Sequence, residues 1–410
     1  MTLLKRGELW RRSEGAGPTE GAEENMRFPR TINSLKEMQE TNRTAVLRVL
    51  FSSEAPLTRG EIAEKSGLSA PTITRLVRDL LNEGIVVEVG KLEIMQGRHR
   101  ELLQINYEEN YILGFEVNES FVHGVVCDLK GQVRQSFTAM VRGREAQAIA
   151  GNIQEIMQQI NSQRGLFRKI IGIGLSISGI VDPHNRKVVR SNTMGWENID
   201  VTELFPQLDG MRLVVENDAN AALLGEVWLA SAHEDDQVVY IIIGEGAIGA
   251  SLLVDGQLTR GSTLMAGEIS HLPVQPGGKL CACGNSGCLE TYVSLERLEQ
   301  EFQTMHRGGG KLLAAYKSGD ELAERFVAEA AEKVAMLICT IVCLVNPSRV
   351  IIGGSWIEAG ERFLDLITQE VRKRVVLGER RSPQIAYSKL YPHAGVLGAV
   401  GLVIDELLRY

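Results

Sequence analysis

From Thr41 onward, apolar residues recur at three-and-four spacing, and Ala45, Val46, Val49 and Leu50 predict an amphipathic helix. Thr58-Arg-Gly-Glu61 opens a second, short helix, because a Thr hydroxyl and a Glu carboxylate three residues on can satisfy the free amides at a helix start. This helix carries Ile62 and Ala63 and breaks at Ser66-Gly67. Leu68 should then be buried, and Ser69 should cap a third helix with Pro71 in its first turn. That helix places Ile73, Leu76, Val77 and Leu80 on one face and leaves Thr72, Thr74, Arg75 and Arg78 outside. After Asn82-Glu-Gly84, residues 85–89 and 101–105 read as strands around a loop, 90–100, that carries Lys91, Arg98, His99 and Arg100. Helix, helix, turn, helix and basic hairpin make the plan of a winged helix-turn-helix.

Beyond Asn106 strands and helices alternate, which predicts an α/β body. Residues 111–116, a polar turn, 122–127 and the turn Asp128-Leu-Lys-Gly131 form one hairpin. Residues 238–243, a glycine-containing turn, 250–254 and Asp255-Gly256 repeat the design about 130 residues later. Each hairpin should open one lobe, and two lobes with a cleft between them account for the rest of the chain. Residues 170–176 and 349–352 read as later buried strands, the second ending in Gly353-Gly354. The apolar helix before it, over 326–344, is stopped by Asn346-Pro347. The expected division is a disordered extension over 1–26, rich in Gly, Glu and Arg and with Met26 as an alternative start, a head over 27–106 and a body over 107–410. Within the body, lobe one takes about 107–220 plus the C-terminal helix, and lobe two about 221–390.

Composition adds limits. The 410 residues are 44% hydrophobic and 23% charged, a globular balance that excludes disorder or a fibrous repeat as the main theme. The longest apolar run, 334–345, is 12 residues and contains Thr340. That is short of the ~20 needed to span a bilayer. Lys5, Arg6, Arg11 and Arg12 are not followed by the apolar core of a secretory signal, so a cytoplasmic protein is expected. Thiols are kept reduced there, and closely spaced cysteines point to metal before disulfides. The net charge of -8 argues against a basic coat, yet it is uneven: residues 27–106 carry 12 Lys+Arg and 10 Asp+Glu, residues 107–410 carry 28 and 37. A mildly basic head on an acidic body suits a local contact with phosphates.

The sharpest chemical signal is His271 followed by Cys281-Ala-Cys283 and Cys288. Three thiols and an imidazole match the tetrahedral set of a structural zinc site, and Gly277, Gly278, Gly284 and Gly287 let a short loop fold around one ion. Cys127, Cys339 and Cys343 lie in apolar runs and read as core thiols. Glu216-Asn217-Asp218-Ala-Asn220 follows the apolar run 213–215, and polar groups at the carboxyl end of a buried strand face the cleft in α/β folds. Asn and Asp there can grip neighbouring hydroxyls of a small molecule, and an Asp can act as a general base on one. A helix cap before residues 221–224 explains the same residues equally well. Glu268 and Glu290 flank the thiol loop and could fix polar groups at a ligand or stand as solvated charges. Gly244-Glu-Gly246 and Gly249 read as turns, because Glu245 would put negative charge where a bound phosphate should lie. In the head, Ser69, Thr72, Thr74, Arg75 and Arg78 could reach bases and phosphates from the major groove, with Arg98 entering the minor groove from the wing.

Together these residues resemble the ROK family of repressors, open reading frames and kinases, over the chain from about residue 27 onward. The motifs are Gly267-Glu-Ile-Ser-His271, Cys281-Ala-Cys-Gly-Asn-Ser-Gly-Cys-Leu-Glu290, Glu216-Asn-Asp-Ala-Asn220 and Ser191-Asn-Thr-Met-Gly-Trp196. The resemblance implies a two-lobed, actin-like sugar-kinase fold behind the winged helix-turn-helix. It implies one structural Zn2+ on His271, Cys281, Cys283 and Cys288, and sugar contacts from Asn192, Asn217, Asp218, Glu268, His271 and Glu290. Asp218 would stand at the place of the kinase base. The departures fall on the nucleotide side: the first phosphate loop, Asp-x-Gly-x-Thr in family kinases, reads Glu116, Asn118, Ser120, and the second reads Gly244-Glu-Gly-Ala-Ile-Gly249. Ser270 also replaces the usual glycine before His271. The expectation is a sugar-responsive repressor, a homodimer or a tetramer, on a pseudo-palindromic operator, with xylose, glucose and N-acetylglucosamine all compatible effectors. The alternative is an ATP-dependent sugar kinase with an accessory DNA head. A third reading is a protein-binding module with both sites vestigial.

Overall fold

The computed structural model describes residues 35–409 except 95–97, 142, 144, 163–169, 206–211, 231–236, 245–247, 307–309 and 376–381. The extension over 1–26 with its alternative start, and Glu245-Gly246 of the second glycine turn, lie outside the described residues.

The head is three helices and a hairpin: α1 Leu35–Phe51, α2 Arg59–Ser66, α3 Ala70–Asn82, β1 Val86–Ile94 and β2 Arg98–Ile105. The capping box forms as read: Thr58 Oγ1 accepts from the Glu61 amide and Glu61 Oε2 accepts from the Thr58 amide. Gly67, in the left-handed conformation at φ 69°, ends α2. Three expectations need correction. The helix α1 starts six residues before Thr41. Ser69 stands at the N-cap of α3, yet its hydroxyl meets Thr72 Oγ1 at 2.9 Å instead of a backbone amide. The wing is mostly ladder and little loop, since Lys91 pairs with Glu101 and Ile94 with Arg98, past a bulge at Glu88/Gly90. Cross-strand pairing extended strands that alternation alone would have ended.

Lobe one comprises β3 Tyr111–Val117, β4 Phe121–Asp128, β5 Val133–Met140, α4 Ala146–Ser162, β6 Ile170–Ile177, β7 Ile180–Asp182, β8 Lys187–Ser191, β9 Trp196–Asp200, α5 Val201–Leu204 and β10 Leu213–Asn217. The helix α6, Asp218–Leu229, leads out of it. Lobe two holds β11 Val238–Ile243, β12 Ile248–Val254, β13 Gln257–Leu258, α7 Glu290–Val293, α8 Leu295–Met305, α9 Leu312–Lys317, α10 Glu321–Val345, β14 Arg349–Gly353, a 3-10 turn Ser355–Ala359, α11 Glu361–Arg374 and β15 Gln384–Tyr387. The chain closes with α12, Ala394–Arg409. Asn346, at φ 51°, ends the long α10. Cys127 is buried, but Cys339 is only half-buried and Cys343 is exposed on α10, so the last is no core thiol.

The internal repeat is visible in the sheets. Lobe one orders its strands β10-β6-β3-β4-β5 and lobe two β15-β14-β11-β12-β13, each with a central antiparallel hairpin and parallel strands to one side. Both sheets are covered on both faces, and alternation sorts their residues. On β3, Leu113, Phe115 and Val117 enter the core under α4, while Ile112 faces α12. On β11, Val239, Ile241 and Ile243 pack under α8–α11, while Val238 and Tyr240 face α6. The helices α6 and α12 cross between the lobes at a separation only glycine allows. A Cβ on Gly398 would lie 2.5 Å from the Ala221 carbonyl carbon, and one on Gly401 would lie 2.8 Å from Gly225 Cα.

Candidate functional site

Three groups of residues stand out, one in the head, one in lobe two and one between the lobes. In the head, α3 buries Ile73, Leu76, Val77 and Leu80 and exposes Ser69, Thr74, Arg75 and Arg78, with Thr72 half-buried. Arg75 has no ion pair among the described residues, and Arg78 Nε stands 3.6 Å from Asp79 Oδ1. Thr74 donates its hydroxyl to the Ala70 carbonyl at 2.9 Å, which leaves its oxygen and methyl outward. His99 and Arg100 are exposed on the wing. Arg98 begins β2, and its side chain lies outside the described residues. A basic, hydroxylated face of this kind matches a phosphate-lined groove better than an apolar partner.

In lobe two, one ligand atom each from His271, Cys281, Cys283 and Cys288 lies within 4.8 Å of the others. Cys283 Sγ is 3.6 Å from Cys288 Sγ, and Cys281 Sγ is 3.6 Å from His271 Nδ1. A disulfide would need about 2.05 Å. Thiolates at about 2.3 Å from a tetrahedral ion stand roughly 3.8 Å apart, so the donor set fits zinc. Desolvation, then the neighbouring thiols, push Cys288 up to about 12, a cost that a divalent cation offsets. The loop is built to hold this shape. Gly287, at φ 80°, has no room for a side chain, since a Cβ there would be 1.7 Å from the Gln275 carbonyl oxygen. Buried Lys333 of α10 holds Gln275 Oε1 at 2.8 Å, and Tyr292 Oη accepts from the Lys279 amide at 3.0 Å.

Between the lobes lies a pocket whose walls include Asn192, Asn217, Asp218 and Glu268, with Arg190 and Arg260. Asn217 both caps and lines: its Oδ1 accepts from the Ala219 and Asn220 amides at 3.0 and 3.2 Å, and its Nδ2 donates to the Gly179 carbonyl at 2.8 Å. The helix cap is therefore formed, and the same residue lies in the pocket wall. Asn192 sits in the turn after β8, its Oδ1 held by Arg190 Nε at 2.9 Å. Burial pushes Asp218 up to about 6, with the Glu268 charge adding to it. Burial, opposed by His271, also raises Glu268. Glu116, near the end of β3, is pushed to about 7 by burial and then by Asp218, and it accepts a hydrogen bond from the Val396 amide at the start of α12. His271 and Glu290 stand outside the pocket lining, at the thiol cluster, with Glu290 Oε2 3.4 Å from His271 Nδ1 and 3.5 Å from Cys281 Sγ.

Sequence reasoning quoted Glu216 only as part of a motif and missed Arg190 and Arg260. Nothing local marks an arginine after a two-residue strand as a cleft residue. Only the fold brings it to β10.

The model of the ROK family matches residues 114–406, and a winged helix-turn-helix DNA-binding model matches residues 40–87. The chain is 26% identical over 391 residues to a xylose repressor of Caldicellulosiruptor bescii, an alignment that covers 91% of this chain and 98% of that one. A crystal structure of a ROK family transcriptional regulator, described as a homolog of the E. coli MLC protein, superposes with a TM-score of 0.81 at 21% identity, over 91% of this chain and 97% of that one. A ROK family glucokinase from Streptomyces griseus, solved with glucose and AMPPNP, superposes with a TM-score of 0.59 at 26% identity, over 70% of this chain and 97% of that one. The regulator therefore shares the fold of head and body, whereas the kinase alignment leaves almost a third of this chain unmatched.

Proposed function

The chain belongs to the ROK family, and from that premise we propose that it is a DNA-binding transcriptional repressor of carbohydrate-utilisation genes, its hold on the operator changed by a monosaccharide in the cleft. The observation that carries this reading is the course of α6. The helix begins at Asp218 in the pocket wall and ends under the head, where Trp228 meets Phe51 of α1 edge to face at 6.4 Å and Arg48 of α1 at 6.0 Å. Trp228 Nε1 also donates to Asp405 of α12 at 3.1 Å. One rigid element thus touches both the ligand site and the reading head.

A sugar fits the pocket chemically, because Asp218 and Glu268 accept hydroxyl protons while Asn192 and Asn217 supply amides. His271 and Glu290 would contribute from the metal side. Zn2+ held by His271, Cys281, Cys283 and Cys288 would supply a fixed charge that rigidifies this wall, one ion per chain. The recognition residues would be Ser69, Thr72, Thr74, Arg75, Arg78 and Arg98, presented twice by a homodimer, or by a tetramer, to half-sites about one helical turn apart. Such a protein works in the cytoplasm. Xylose is the first effector to try, since a relative carries that name.

A kinase remains the second reading because Asp218 keeps the place and the raised pKa of a base. Against it, Glu116 already puts a carboxyl at the first amides of α12, and a nucleotide phosphate brought there would meet an acid.

The test is thermal stability of the full chain against free xylose, glucose and N-acetylglucosamine and their phosphates, each with and without ATP and Mg2+, alongside operator binding. A midpoint rise with one sugar, indifferent to ATP, is expected. Arg75→Ala should weaken operator binding by about tenfold and leave that rise intact. A rise that needs ATP, or that fades as the sugar is phosphorylated, would replace the repressor with the kinase.

A further inference from the structure

The two walls of the pocket belong to different lobes, and a buried network joins them. Glu216, at the end of β10, is 1% exposed. Its Oε2 accepts from Arg260 Nε at 2.7 Å and Nη2 at 2.6 Å. Its Oε1 accepts from Asn220 Nδ2 and from the Asn217 amide, both at 3.0 Å. Asn220 Oδ1 in turn accepts from Ser251 Oγ of β12 at 2.7 Å. One strand end of lobe one therefore holds lobe two at two points, with every acceptor of the carboxylate in use.

Arg260 does more than pair. Its carbonyl accepts from the Ala266 amide at 3.1 Å, closing the loop that leads to Glu268. Immediately before Glu268, the Gly267 carbonyl accepts from the Ala250 amide of β12 at 2.8 Å, and a Cβ on Gly267 would stand 1.8 Å from the Ala250 oxygen. The segment that presents Glu268 is pinned at one end by β12 and at the other by Arg260.

We propose that Arg260, clamped on buried Glu216, is the positioning residue of the cleft, an interlobe latch that fixes the lobe-two wall carrying Glu268 against the lobe-one wall carrying Asn217 and Asp218. The proposal deepens the reading of the cleft as a sugar site and rests on it for its effect on affinity. An ion pair on a buried carboxylate adds little net stability but holds its partners in one geometry, which is what a ligand touching both lobes requires. Removing Arg260 alone would strand a buried charge and could unfold the body. The informative variant is therefore Glu216→Gln with Arg260→Met, which keeps an acceptor for Asn220 and the Asn217 amide and keeps the arginine stem volume.

Hydrogen exchange and ligand binding on the full chain test it, with xylose, glucose and N-acetylglucosamine as probes. Amides within 260–268 should exchange at least about tenfold faster in the double variant, while the head and the thiol loop keep their protection. The dissociation constant of the bound probe should rise at least about tenfold, with operator affinity in the absence of sugar unchanged within about twofold. Unaltered exchange over 260–268, or undiminished sugar affinity, overturns the latch. Faster exchange across the whole body with a lower melting temperature also overturns it, since Arg260 would then be a general prop. If the unmodified chain binds none of the probes, the sugar reading fails instead, and the exchange measurement still decides the latch.

Discussion

At the scale of single residues, Asp218 concentrates the chemistry of the cleft. Its carboxyl oxygen accepts from the Ala219 amide at 2.9 Å, and burial nonetheless pushes it up to about 6, while Glu116 rises to about 7. The signs of two pH effects follow. The folded chain holds protons on these acids that the unfolded chain releases at ordinary carboxyl values, so their contribution to stability is largest below about pH 4 and falls as pH rises through about 7. Sugar affinity should run the other way, because an ionised carboxylate is the better acceptor for a hydroxyl. Binding measured from about pH 5 to about pH 8 should strengthen through about 6 and then level off. Asp218→Asn should weaken it by about tenfold or more and flatten the profile, leaving sugar-free operator binding unchanged. A flat profile in the unmodified chain would take Asp218 out of the site. Asn217 and Asp218 were legible in sequence as polar residues at a strand end; the electrostatic pairing of Asp218 with Glu116, some 100 residues away in sequence, was not.

At the scale of elements, what is local was readable and what is paired was not. The Thr58 capping box and the Gly67 stop act within a few residues and appear as expected. The wing outran its predicted strands because its length depends on the partner strand, and the Ser69 hydroxyl chose Thr72 over an amide. The thiol loop sits between these cases. Its cysteine spacing announces metal, but the support from Lys333 and Tyr292 comes from α10 and α7. If the loop holds zinc as proposed, Cys283→Ser should lower the zinc content of the purified chain, read by mass spectrometry. Sugar-induced stabilisation should shrink with it by about tenfold in affinity, as loss of support around a metal does. A variant that keeps full sugar response without metal would show the loop to be independent of the cleft.

At the scale of the molecule, head and body form a continuous structure. Val46, Leu47 and Leu50 of α1 share one apolar cluster with Val396, Val400 and Ile404 of α12, and α12 rests on lobe one so closely that a Cβ on Gly174 would be 1.9 Å from the Ala399 oxygen. Trp228 is the joint between α6, α12 and α1. Trp228→Ala should leave sugar affinity and sugar-free operator affinity within about threefold, yet reduce the factor by which sugar changes operator affinity by about tenfold, a coupling loss of about 1.4 kcal/mol. An unchanged factor would route the signal elsewhere. Two hairpins about 130 residues apart were enough to read the repeat, because apolar runs around a turn are properties of a short segment, whereas which helix covers which face of β3 and β11 was not legible, since both faces of those strands are buried. The pocket needed more. Arg190 and Arg260 line it, and Arg260 reaches Glu216 behind the wall, because two sheets of like topology face each other across crossed helices, and no local pattern encodes which distant arginine will find a buried glutamate. The sequence by itself determined the order of most elements, the repeat, the cysteine spacing of the thiol loop and the basic face of α3; the tertiary structure alone decided which side chains close the cleft and how it reaches the head, since those contacts form between segments far apart in the chain and only after the lobes have packed.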